Sequence, residues 1–123
     1  MRVFIAVDLE GISTVTHEWE TDPAARGYPR ARAAMHDDLL AALAGCRAAG
    51  ADEFVVCDAH NDGGNLDPDA MPAGTTLVAG SPTPDSMMHG IGPGLDAALF
   101  IGYHARAGTP AAVLEHTWTY RVF

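Results

Sequence analysis

Basic residues are scarce in this chain: seven stand against sixteen acidic ones, a net charge of −9. That imbalance repels a phosphate backbone or an anionic membrane surface, so nucleic acid and lipid are set aside as partners. Metal cations, or substrates with a free ammonium group, suit it better. Cysteine is nearly absent. Cys46 and Cys57 form no C-x-x-C pair and no disulfide framework, and their apolar neighbours predict buried free thiols. No apolar run approaches the ~20 residues of a membrane span. The opening Met1-Arg2-Val3-Phe4-Ile5-Ala6-Val7-Asp8 meets an acidic residue too early for a secretory signal. A reducing cytoplasm is the expected location. Internal repeats and low-complexity tracts are lacking too.

What remains is a chain of 123 residues, 48% hydrophobic and 19% charged, which predicts a single folded domain over 1–123. Arg2 to Val7 is an apolar, β-branched run ending at Asp8, a buried-strand pattern. Leu9 to Gly27 is broken by Gly11 and Pro23 and reads as a long loop. Tyr28 to Ala49 carries Ala31, Met35, Leu39, Leu43 and Cys46 at helical spacing, with Pro29 in the first turn and Gly50 after the end. Glu53 to Cys57 is a second strand, stopped by Asp58. Asn61 to Gly74 is loop with at most a helical turn. Thr75 to Ala79 and Ala97 to Ile101 are further strands, and the segment ending Tyr120-Arg121-Val122-Phe123 is a candidate for another. Strand, helix, strand in this order predicts an α/β fold: a mostly parallel sheet flanked by helices.

In such sheets ligands bind beyond the carboxyl ends of the strands. Asp8 and Glu10 follow the first strand, Asp58 and His60 the second, His104 the fourth. All are metal-ligand types, and two imidazoles among carboxylates favour zinc or a similar transition metal. Each also has a structural reading: Asp8 as a turn cap, Glu10 as a solvated loop residue, His60 and His104 as satisfied core histidines. Their joint placement favours the metal site. Asp8 and Glu10, two apart in extended chain, are expected on one side, where a carboxylate could bridge two metals. His116 is open between ligand, general acid/base and core histidine.

Four motifs together resemble the D-aminopeptidase family. They are Val7-Asp8-Leu9-Glu10-Gly11-Ile12-Ser13, Asp58-Ala59-His60-Asn61, Gly102-Tyr103-His104-Ala105-Arg106-Ala107 and Glu115-His116-Thr117. The resemblance implies two zinc ions per subunit. Asp8 would bridge both, Glu10 and His104 would serve one, and His60 the other. His116 matches the family's catalytic histidine. Asp58 matches the motif without being a ligand, and its expected task is to orient His60 or the loop. Arg106 fits either a substrate carboxylate or a structural ion pair. The implied activity is removal of an amino-terminal residue, a D-amino acid, from a small peptide, by a homo-oligomer.

The family supplies a further acidic ligand downstream of His116, whereas this sequence stops at Phe123. An incomplete domain is therefore expected, with the second zinc short of one ligand. Two rival readings follow. The chain is a non-catalytic truncated metal-binding fragment, or Asp8-Leu9-Glu10-Gly11 belongs to a magnesium-dependent phosphatase with Asp8 as nucleophile. Glu10 and the two histidines fit the phosphatase poorly.

Overall fold

The computed structural model describes residues 1–112 and 114–117. Strands β1 (Arg2–Val7), β2 (Glu53–Asp58), β3 (Thr75–Val78) and β4 (Ala97–Ile101) form one sheet in the order β3-β2-β1-β4, every pair parallel. Helix α1 (Tyr28–Ala48) makes the crossover from β1 to β2. The fold is α/β.

Helix α1 packs through one stripe. Ala31, Met35, Leu39 and Leu43 recur every fourth residue, and all are buried against Val3, Ile5 and Val7 of β1 and Phe54 and Val56 of β2. Full burial of an aliphatic side chain of this size contributes about 1.5–3 kcal/mol, so this stripe fixes the helix on the sheet. Arg47 near the helix end lies over the Phe54 ring, 5.2 Å from its centroid. Cys46, expected to be buried, is only partly so, because it sits at the helix end where the stripe leaves the core; Cys57 is buried in β2. Both thiols are free.

The expectation of flanking helices needs correcting. Among the described residues one α-helix covers one face. The other face, built on Phe4, Ala6, Val55 and Cys57, meets Leu95, Tyr103 and the irregular chain after β3. That segment carries Gly80, Pro82, Pro84, Gly90, Gly92, Pro93 and Gly94 and sustains no more than the 3-10 turn Ser86–Met88. No strand occurs among residues 110–112 and 114–117, and the Tyr120–Phe123 end of the candidate fifth strand lies outside the described residues.

The register places the site. Val7 of β1 pairs with Asp58 on one side and Ile101 on the other, so three strands end in one row. The chain passes from β2 outward to β3, then back across β1 to β4. The end of β1 is thus the switch point of the sheet, where such folds place their ligands.

Candidate metal centre

Asp8 leaves the end of β1 with its backbone still paired on both flanks. Its N–H donates to the Ile101 carbonyl at 2.9 Å, and the Val7 carbonyl accepts from Ala59 N–H at 2.8 Å. The chain then turns instead of staying extended: Leu9 drops into the helix-side core and Glu10 lies in the turn. Asp8 and Glu10 come together through this turn, not through strand alternation.

The turn locks against the loop after β4. Gly11 N–H donates to the Gly102 carbonyl at 2.6 Å. A Cβ on Gly11 would stand 2.6 Å from the Tyr103 carbonyl oxygen. Gly102 has φ +69°, and a Cβ there would strike the Asp8 carbonyl and the Ile12 side chain. Two glycines therefore let the strand-end loops touch, which brings His104 Nε2 to 3.6 Å from Asp8 Oδ2.

His60 arrives from β2. Its Nδ1 lies 3.3 Å from Asp8 Oδ1 and 3.1 Å from Glu10 Oε2, and its Nε2–H donates to the Thr21 carbonyl at 2.9 Å. Ligand atoms of Asp8, Glu10 and His60 all lie within 4.8 Å of one another. The family resemblance implies Glu10 and His104 on one metal and His60 on the other. In the structure Glu10 and His60 sit together, and His104 approaches from the opposite side of Asp8.

Asp58 points elsewhere. Its Oδ2 accepts from the N–H groups of Asn65 (2.6 Å) and Leu66 (2.8 Å), and its Oδ1 from Asn65 Nδ2 (2.7 Å). Asn65 Nδ2 also donates to the His60 carbonyl at 2.7 Å, while Tyr28 O–H donates to Asn65 Oδ1 at 2.6 Å. The carboxylate thus folds the loop that carries His60. Asn65, Thr21 and Glu20 were not anticipated from sequence, since none sits at a strand end. Glu20 is buried and accepts from Thr16 N–H (2.9 Å), His17 N–H (3.0 Å) and Arg30, which shapes the loop presenting the Thr21 carbonyl.

His104 Nδ1–H donates to the Ala105 carbonyl at 2.9 Å, which leaves Nε2 facing Asp8. The His116 ring stacks on His104 with centroids 3.5 Å apart. Its Nδ1–H donates to the Leu114 carbonyl at 3.0 Å, leaving Nε2 as the lone-pair side of the ring. Asp8, Glu10, His60, His104 and His116 all line one pocket of about 260 Å³. Arg106 lies outside that lining.

The charges here are crowded and dry. Asp8 and His60 are each 2% exposed. Burial pushes Asp8 above the usual carboxylate range, and the neighbouring Glu10 adds to this. Burial works against a charged His60, yet the two carboxylates outweigh it and raise its pKa to about 10. Burial likewise works to raise Glu10, but its hydrogen bonds to His60 and Asp8 bring it down to about 2. Two carboxylates and an imidazole clustered in this way are donors that could hold a transition metal, and a divalent cation would satisfy charges that are otherwise costly to bury.

A family model described as D-aminopeptidase matches residues 1–123. The chain belongs to the D-aminopeptidase family. It is 34% identical over 122 residues to a D-aminopeptidase of Bacillus subtilis (strain 168), covering 99% of this chain and 44% of that protein. The solved structure of the Zn-dependent D-aminopeptidase DppA from Bacillus subtilis, described as a self-compartmentalizing protease, matches with a TM-score of 0.91 at 33% identity. That match covers 98% of this chain and 43% of DppA. The chain thus spans less than half the length of the relatives it matches. Among the described residues, no helix is long and apolar enough to cross a membrane.

Proposed function

We propose that this D-aminopeptidase chain carries the metal-binding half of a zinc aminopeptidase site, acting on short peptides with a D-residue at the amino terminus. The observation that carries the reading is the convergence of Asp8, Glu10 and His60 within 4.8 Å at the switch point, with His104 beside Asp8. Asp8 lies between His60 and His104, as a carboxylate shared by two ions would. Glu10, His60 and His104 would complete the ligand set offered by this part of the protein, with His104 Nε2 left free for it by the Nδ1–H bond to the Ala105 carbonyl. The family resemblance implies two zinc ions, and a homo-oligomer is in keeping with the description of DppA as self-compartmentalizing.

Zinc, when bound, supplies Lewis-acid activation of water and of the substrate carbonyl. His116 handles protons: its Nδ1–H is committed to the Leu114 carbonyl, so Nε2 can accept one and return it. Asp58 holds the His60 loop through Asn65 and is a positioning residue.

The test is zinc content per chain by elemental analysis, with hydrolysis of D- and L-aminoacyl p-nitroanilides by the same protein. Zinc bound at one or two per chain, and reduced by His60→Ala and by His104→Ala, supports the reading. Zinc uptake and D-aminoacyl hydrolysis that survive both substitutions would sink it.

A further inference from the structure

The ligand cluster has two open sides. Glu10, His60 and Asn61 border the pocket that holds His104 and His116, and the same three border a second hollow of about 600 Å³. The rest of its lining comes from the segment around the 3-10 turn Glu18–Glu20, including Glu18, Trp19 and Asp22. We propose that this hollow is the subsite for the amino-terminal residue of the peptide, with Glu18 and Asp22 facing its ammonium group and Trp19 forming the wall for its side chain. The proposal rests on the aminopeptidase reading and specifies which groups select the substrate.

Trp19 carries the first argument. It is 55% exposed, although an indole gains most by packing down onto a core. It is nonetheless held in place. The His17 ring stacks on it at 5.8 Å and 14°, and its six-membered ring lies so close to Gly27 that a Cβ there would collide with Cζ3. An aromatic fixed from two sides and left half bare beside the metal ligands is a preformed contact surface, and its face favours a cation.

Charge gives the second. Glu10, Glu18 and Asp22 border the hollow, and no Lys or Arg does. Among the described residues the Glu18 carboxylate has no hydrogen-bond or ion-pair partner, and Asp22 uses only Oδ1, on Ala24 N–H at 2.9 Å. With Glu10 paired to His60, the Glu18 and Asp22 carboxylates still leave the hollow net negative, which attracts an ammonium and repels a carboxylate and so orients a peptide with its amino end inward. Covalent geometry gives the third. The amino nitrogen and carbonyl carbon of one residue are two bonds apart, roughly 2.5 Å. The ammonium must therefore bind directly beside the group that acts on the carbonyl, and this hollow shares Glu10 and His60 with that site. The size suits a ligand of one or two residues.

The experiment uses the full chain in a Trp118→Phe background, so that emission reports Trp19. It is titrated with D-leucinamide and with N-acetyl-D-leucinamide, which lacks the charge, and zinc content is measured on the same samples. D-leucinamide should shift Trp19 emission saturably, with the acetylated probe at least tenfold weaker. Glu18→Gln with Asp22→Asn should weaken D-leucinamide by about three- to tenfold, as should Gly27→Ala, with zinc content unchanged. Equal titration by both probes, or a double variant that binds like its parent, overturns the subsite. Zinc uptake with no response to D-leucinamide removes the subsite and leaves the metallopeptidase reading standing. D-leucinamide binding without zinc uptake supports the ammonium site and sinks that reading.

Discussion

Asp58 offers the sharpest division between a ligand and a positioning residue. Asp58→Ala strips the partners from two backbone N–H groups, Asn65 and Leu66, in a buried loop. Each unpaired buried donor costs about 1–3 kcal/mol, so the substitution should destabilise by about 2–6 kcal/mol. Against a total stability of about 5–15 kcal/mol for a domain, that is a large fraction. Asp58→Asn is more instructive. Its oxygen can still accept both backbone N–H groups, but its amide nitrogen then faces Asn65 Nδ2 across 2.7 Å, donor against donor. Asn65 cannot turn to relieve this, because Nδ2 also serves the His60 carbonyl and Oδ1 accepts from Tyr28. One lost bond and one repulsive contact place Asp58→Asn at about 1–3 kcal/mol. Zinc affinity should fall about 10–100-fold in either variant, the scale of losses when groups supporting a ligand are removed. Urea midpoints of chelator-treated protein give the first quantity, and competition with a zinc-binding dye gives the second. If both variants keep wild-type stability while zinc binding disappears, Asp58 is a ligand and the loop argument is wrong.

Other consequences can be measured on the same protein. Gly102→Ala forces a side chain into φ +69°, at about 1–2 kcal/mol, and against the Asp8 carbonyl, so a urea denaturation loss above about 2 kcal/mol is expected. A wild-type midpoint would remove the seam between the strand-end loops. Asp8→Asn should lower zinc affinity at least about 100-fold, since Asp8 stands between both histidines; calorimetry showing a change under threefold would contradict its central role. In metal-free protein the His60 pairing stabilises fully below about pH 6.5 and is lost as pH rises through about 10. The Glu10 pairing is present above about pH 4.5 and lost as pH falls through about 2, with the raised Asp8 opposing it at the acid end. Metal-free urea midpoints should therefore fall between pH 6 and 10, and His60→Gln should flatten that slope; an unchanged slope would count against the pairing.

The strands and the helix were legible because burial imprints a period on the sequence. Ala31, Met35, Leu39 and Leu43 are both the apolar stripe and the buried face. The strand-end rule located Asp8, His60 and His104 because a parallel sheet offers ligands one edge. What stayed hidden depends on contacts between segments far apart in the chain. Nothing local in Asn65 announces that it bridges Asp58, His60 and Tyr28, and nothing in Trp19 reveals that Gly27 fixes it. The bend at Leu9 is not legible, because extended chain would also put Asp8 and Glu10 on one side, whereas Leu9 turns inward to fill the core under α1. The pairing of His60 with both carboxylates likewise depends on that bend.

The position of Asp8 sets how the centre can deform. Its strand is hydrogen-bonded along both edges, and the pairing continues through Asp8 itself. Sliding it along the sheet would break two ladders at once, so it behaves as the stiff member of the cluster. The imidazoles of His60 and His104 ride on irregular loops that can twist without breaking a ladder. Ions of different radius would then be accommodated by torsion in residues 60–65 and 102–105, with the β1 carboxylate as the fixed reference point.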